Sequence, residues 1–240
     1  MSETFVLIAG ACHGGWSWRP LAEQLRSAGH RVLTPTLPGL ADGDDPRRHS
    51  LADVADFVVD LVERHDLVDV TMVAHSWGGY PMTGAAHRLA PRLRKLVYWS
   101  AFVPAEGVPL LGDVPPHYAE MFTQVAAASG NNSVIFPYEV FTSAFMQDAD
   151  EGLQRLVHGL LTPQPMQYFT ETVASVDPLA LGVPASYVLC TEDLALPPGE
   201  WAWAPRFPQR LGNVPVIETP GSHEALFTRP AELAAALVKA

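Results

Sequence analysis

Apolar residues in this chain follow two alternating rhythms. Short, nearly unbroken runs occur at residues 5–8 (FVLI), 31–36, 70–74, 95–101 (KLVYWSA), 185–190 (ASYVLC) and 214–219. Between them lie stretches in which apolar residues recur three or four positions apart, the spacing of one helix face. Residues 20–28 place Leu21, Leu25 and Ala28 together and end at Gly29. Residues 51–62 do the same with Leu51, Val54, Ala55, Val58, Leu61 and Val62, and Ser50 stands where a hydroxyl can accept from a free first-turn N–H. Helices are also predicted over 77–90 and 230–239, the latter opened by Pro230, whose missing N–H has no partner to lose there. Strands with no polar face must be covered on both sides. Their alternation with helices predicts an α/β fold with a mostly parallel sheet of about six strands and helices on both faces.

The alternation stops near Pro104. Pro-rich connections such as VPPHY and LTPQPMQY and isolated helical patches follow, and Asp177 reads as a turn residue before Pro178. Residues 1–103 and 178–240 therefore read as one core, interrupted by an inserted, mostly helical cap at 104–177. Its aromatic residues, Tyr118, Phe122, Phe136, Tyr138, Phe141, Phe145, Tyr168 and Phe169, are expected mostly in the interior of that insertion.

Composition narrows the partners. The 240 residues are 48% hydrophobic and 17% charged, with a formal net charge of -11. So acidic a chain has little attraction for phosphate backbones or anionic lipid, which argues against nucleic-acid and membrane partners. No apolar run approaches the roughly 20 residues that span a bilayer. The start, MSETFVLIAG, lacks a basic head and a cleavage site, so a cytoplasmic location is expected. Cys12 and Cys190 are distant and flanked by apolar residues, which reads as two buried free thiols; zinc would want more ligands at closer spacing. A homodimer is compatible with all of this.

Chemistry enters at AHSWG, residues 74–78, where a serine sits between small residues after a strand and before a helix. That setting suits a sharp corner that presents Ser76 as a nucleophile. A serine hydroxyl needs a general base, and the base needs an orienting carboxylate. Loops after later strands offer both in the order acid, then base. Asp193 lies in CTEDLALPP and His223 in PGSHEALF. Glu192 and Glu106 are alternative acids. His75, His87 and His13 are rival histidines, although His75 cannot readily turn its ring onto its neighbour's oxygen. Two backbone N–H groups can hold the oxyanion of an acyl transfer: that of Trp77, after the serine, and that of Ala11, in the glycine-containing loop AGACHGGWSW.

GACHGGWSW, AHSWGGY, CTED and a late GSH together resemble the plant methylesterase and hydroxynitrile lyase branch of the α/β-hydrolases, over about residues 4–104 and 183–240. The resemblance implies the α/β-hydrolase fold, a helical cap over the site, Ser76, Asp193 and His223 as the triad, and Ala11 and Trp77 as oxyanion donors. It gives His13 a structural role. Three departures stand out. Ala9-Gly10 replaces a common His-Gly, Ala74 replaces the first elbow glycine, and Gly10 and Glu224 stand where the lyases carry a threonine and a lysine. Without that cation nothing stabilises departing cyanide, so the expectation is ester hydrolysis of a small to medium hydrophobic substrate, with no cofactor or metal. A non-hydrolytic enzyme on the same scaffold and a ligand-binding member with an idle triad are the rival readings.

Overall fold

The computed structural model describes residues 2–174, 178 and 180–240; Asp177 lies outside them. Six strands form one sheet: β1 (Thr4–Ile8), β2 (Arg31–Leu33), β3 (Val70–Ser76), β4 (Leu93–Ala101), β5 (Ala185–Cys190) and β6 (Val216–Thr219). Their order is β2-β1-β3-β4-β5-β6, and every neighbouring pair is parallel. Helices α1 (Arg19–Ser27), α2 (Leu51–Arg64) and α3 (Gly79–Leu89) connect the first strands, and α6 (Pro230–Lys239) closes the chain.

The two-sided burial read from the strands is borne out. Phe5, Leu7, Val73, Val97 and Val188 pack against Leu21 and Leu25 of α1 and Leu233 and Leu237 of α6. Val6, Ile8, Met72, Ala74, Leu96 and Tyr98 join Val54, Val58, Met82 and Ala86 of α2 and α3 in a second core. The Ser50 cap forms as expected, its hydroxyl accepting from the Asp53 N–H at 3.1 Å.

Several boundaries differ from the sequence pattern, each for a local reason. β2 stops at Leu33, where its register with β1 ends, and Pro35 has no N–H to extend the ladder. β6 starts one residue after Pro215 for the same reason. β3 runs two residues further than its apolar run, because Ser76 still pairs with Ala101 of β4. α3 begins at Gly79 rather than at residue 77; Trp77 and Gly78 form a turn in which the Gly78 N–H donates to the His75 carbonyl at 2.8 Å.

Between β4 and β5, the described residues add no strand to the main sheet. They form α4 (Pro116–Ala128), α5 (Glu151–Gly159), short helical turns, and a small antiparallel ribbon of Ser133–Val134 with Gln164–Pro165. The ribbon is invisible to periodicity, being two residues on each side. Phe122, Phe136, Phe141, Phe145, Tyr168 and Phe169 from this stretch merge into the α2–α3 core, so it is packed onto that face of the sheet.

A buried carboxylate fastens this stretch to the rest. Asp113, 1% exposed, accepts from Arg206 at 2.8 Å, from both terminal nitrogens of Arg210 at 2.7 and 2.8 Å, and from the Tyr80 hydroxyl at 3.2 Å. Removing one member of a buried ion pair leaves the other charge uncompensated. The two guanidinium side chains keep 21% and 25% of their surface in water, which moderates that cost. Asp113→Ala is expected to lower stability by about 2–3 kcal/mol, read as a lower urea midpoint with an unchanged slope. An unchanged midpoint would mean the cluster contributes nothing net.

Candidate active site

Ser76 ends β3 in a left-handed backbone conformation, φ +52°, which a non-glycine residue adopts at a cost of order 1–3 kcal/mol. The surroundings enforce it. The Ser76 carbonyl accepts from the Phe102 N–H at 3.1 Å, and α3 starts so close to β4 that a β-carbon on Gly79 would stand 1.9 Å from the Phe102 carbonyl oxygen. The corner inferred from AHSWG is therefore present, and its tightness depends on glycine at position 79.

Asp193 follows β5 and His223 follows β6, and the adjacency of these strands brings the two loops together. His223 Nδ1 and Asp193 Oδ2 are 2.7 Å apart, with both side chains almost fully buried. The carboxylate only accepts, so Nδ1 carries the proton and Nε2 is the free ring nitrogen. The other Asp193 oxygen accepts from the Ala195 N–H at 2.9 Å. Burial works against charge on both groups, but their mutual attraction outweighs it: the His223 pKa is raised and that of Asp193 lowered. The His223 ring is also held by rings, stacked on Trp203 at 5.5 Å with Phe145 edge-on at 5.3 Å. A protonated imidazole over an indole face gains cation–π attraction.

The rival residues sort themselves by position. Glu192 and Glu106 are exposed, with Glu192 accepting from the Gly221 N–H at 3.3 Å. His87 is exposed on α3. His75 is buried and stacked on Trp99 at 4.1 Å; burial first, then the charge of His223, holds its pKa well below the usual imidazole value. His13 donates to the Ala11 carbonyl at 2.7 Å and so braces the β1 loop.

Ser76, His223, Ala11 and Trp77 line one cavity, whose other walls are largely apolar. Tyr118, Phe122, Phe136, Phe145 and Phe169 belong to those walls, whereas Phe141 and Tyr168 are packed away, so fewer of these aromatics are purely interior than expected. Trp203, Leu196 and Ala195, from the stretch after β5, also line it and were not singled out from the sequence; no short motif marks them. Among the described residues no hydrogen bond of the Ser76 hydroxyl is formed, and nothing accepts from the Ala11 or Trp77 backbone N–H. The Trp77 indole donates to the Tyr168 carbonyl at 3.3 Å and stacks on that ring. Cys12, next to Ala11, ties the same loop to the ribbon: its N–H donates to Gln164 at 3.0 Å and its thiol to the Val134 carbonyl at 3.3 Å. Both cysteines are free and buried, as expected, and burial pushes the Cys12 thiol up to about 12.

A parallel sheet with a strained serine corner after its third strand and a hydrogen-bonded Asp–His pair on two later loops defines a class, and comparison agrees. The chain belongs to the alpha/beta hydrolase family, whose model matches residues 5–236. Within it, the chain is 29% identical to salicylic acid-binding protein 2 of Nicotiana tabacum, over 98% of this chain and 95% of that protein. It is 44% identical to a carbendazim hydrolyzing esterase of a Nocardioides strain over 117 residues, a match spanning 46% of this chain and 47% of that enzyme. Among solved structures it superposes with a TM-score of 0.94 and 30% identity on an extracellular alpha/beta-hydrolase from a Paenibacillus species that shares structural and functional homology with the tobacco protein, covering 99% and 98% of the two chains. Relatives named methylesterase and alpha-hydroxynitrile lyase bear out the resemblance to that branch, and those named as esterases support hydrolase activity.

Proposed function

We propose that this protein is a serine carboxylesterase that cleaves a small to medium hydrophobic ester. Ser76 attacks the carbonyl as His223 Nε2 takes its proton, and Asp193 orients the ring and offsets its charge. The Ala11 and Trp77 N–H groups hold the oxyanion, and residues 104–177 act as the cap over the substrate. His223 then protonates the leaving alcohol, and water repeats the cycle on the acyl-enzyme.

The observation that carries this reading is the buried 2.7 Å bond between His223 and Asp193, whose imidazole shares a cavity wall with the strained Ser76. The Ser76–His223 hydrogen bond forms when substrate fills the cavity; such bonds are commonly long before binding. Apolar walls favour a hydrophobic acyl or alcohol group. Cyanohydrin cleavage is disfavoured, since the residue after His223 is an acid, Glu224, rather than a cation. No helix among the described residues is long and apolar enough to cross a membrane, and two free buried thiols suit the cytoplasm.

The test is a fluorophosphonate. A single adduct on Ser76, with turnover of p-nitrophenyl esters lost in step with labelling, is expected. Labelling elsewhere, or full turnover by labelled enzyme, contradicts the assignment. Saturable ligand binding with negligible turnover would favour the binding-protein reading.

A further inference from the structure

A second, smaller cavity adjoins the first and carries more polar side chains on its walls. With about 10 Å³ open to a water, room for about one, it shares Ala11, Ser76, Phe136, Phe145 and His223 with its neighbour and adds Gly10, His13, His75 and Glu224. Glu224 and His13 are 1% and 3% exposed. His13 Nδ1 is committed to the Ala11 carbonyl, so Nε2 is the nitrogen left to face Glu224. Nε2 and Glu224 Oε2 stand 3.5 Å apart without a hydrogen bond, and neither atom has another partner among the described residues.

Two buried polar atoms without a hydrogen bond each cost about 1–3 kcal/mol, which one shared partner can remove. A water beside the pair suits both atoms: it donates to the carboxylate and pairs with Nε2 whether or not that nitrogen is protonated, and buried waters need two to four such contacts. Position 10 keeps the approach to the serine open. A β-carbon there would stand 3.1 Å from Ser76 Cβ and 2.9 Å from His75 Nδ1.

We infer that this cavity stores the water that hydrolyses the acyl-enzyme, with Glu224 and His13 as its positioning residues. The inference rests on the serine esterase reading. After the alcohol leaves, the large cavity offers mainly apolar walls, which hold no water in a defined place; the second cavity, where Glu224 and His13 stand, shares both Ser76 and His223 with it. The water oxygen bonds to the acyl carbon while one of its protons passes to His223 Nε2. When the bond from that carbon to Ser76 Oγ breaks, the proton returns to Oγ and a carboxylic acid departs.

With the best-accepted p-nitrophenyl ester, p-nitrophenol absorbance reports formation of the acyl-enzyme, and rapid-quench intact-protein mass spectrometry reports its decay. Glu224→Leu, which fills the site without a hydrogen-bonding atom, is expected to acylate within about twofold of the native rate and deacylate about tenfold more slowly. Added methanol, reaching the acyl carbon through the apolar cavity, restores decay. Glu224→Gln, still able to bind a water, keeps at least about half the native decay rate. Native decay in Glu224→Leu overturns the inference, as does a parallel fall of both steps without rescue by methanol. If native Ser76 takes no fluorophosphonate, the esterase reading fails and takes this inference with it. A normal adduct with unaltered deacylation removes the water assignment alone.

Discussion

Ser76→Ala is expected to lower kcat for ester hydrolysis by about 10⁵-fold or more, a loss of about 7 kcal/mol of transition-state stabilisation. The effect is large because no covalent intermediate can form, and His223 and Asp193 then have no hydroxyl to serve. Residual turnover above the uncatalysed rate would come from the oxyanion donors and from binding. Ser76→Gly makes the same point from the stability side. It lacks the hydroxyl too, but glycine adopts φ +52° without strain, so this variant is expected to be inactive yet more stable than the native protein by about 1 kcal/mol. The hydrogen bond from the Phe102 N–H to the residue 76 carbonyl does not involve the side chain and is kept in both variants. Activity within tenfold of native in either variant would mean that Ser76 is not the nucleophile.

Asp193→Asn is expected to cost about 10⁴-fold in kcat, or about 5 kcal/mol, with little change in KM. The carboxylate fixes the proton on His223 Nδ1 and so leaves Nε2 free to act as base; an amide can present its N–H instead and reverse the tautomer. A pH profile gives a second readout. His223 must be neutral to accept the serine proton, so kcat/KM rises with pH through its pKa. In the native protein burial disfavours the imidazolium, but Asp193 more than compensates, so the rise is centred above the ordinary value of 6.5. Without the Asp193 charge, burial has weaker opposition, and the residual activity of Asp193→Asn is expected to rise at lower pH than the native activity. A rise at unchanged pH would show that Asp193 does not govern the His223 charge. Similar kcat values for both proteins would exclude it as the orienting acid.

The sequence made some of this site plain and concealed the rest. Ser76 was legible because a corner between a buried strand and a helix leaves a local mark: small residues on both sides of a polar one. His223 and Asp193 were legible by order and by their places after the last two strands, although Glu192 remained a rival to its neighbour Asp193. Adjacent residues on one loop differ in direction, and direction depends on how that loop leaves the sheet. In the structure Glu192 points to solvent and accepts from Gly221, while Asp193 turns inward to the imidazole. Trp203 was not legible at all, since one indole in a Pro-rich stretch carries no period, yet it stacks on the His223 ring.

Pattern alone determined the α/β class, the six-strand sheet with its two buried faces, the interruption after the fourth strand, and the serine corner. Each depends on residues close together in the chain, where backbone geometry turns spacing directly into a shared face or a turn. Only the tertiary structure decided which carboxylate meets His223, which aromatic residues wall the cavity, and that Glu224 and His13 confront each other beside Ser76. Those relations join residues tens to hundreds of positions apart. No local spacing encodes them; the order of strands in the sheet does.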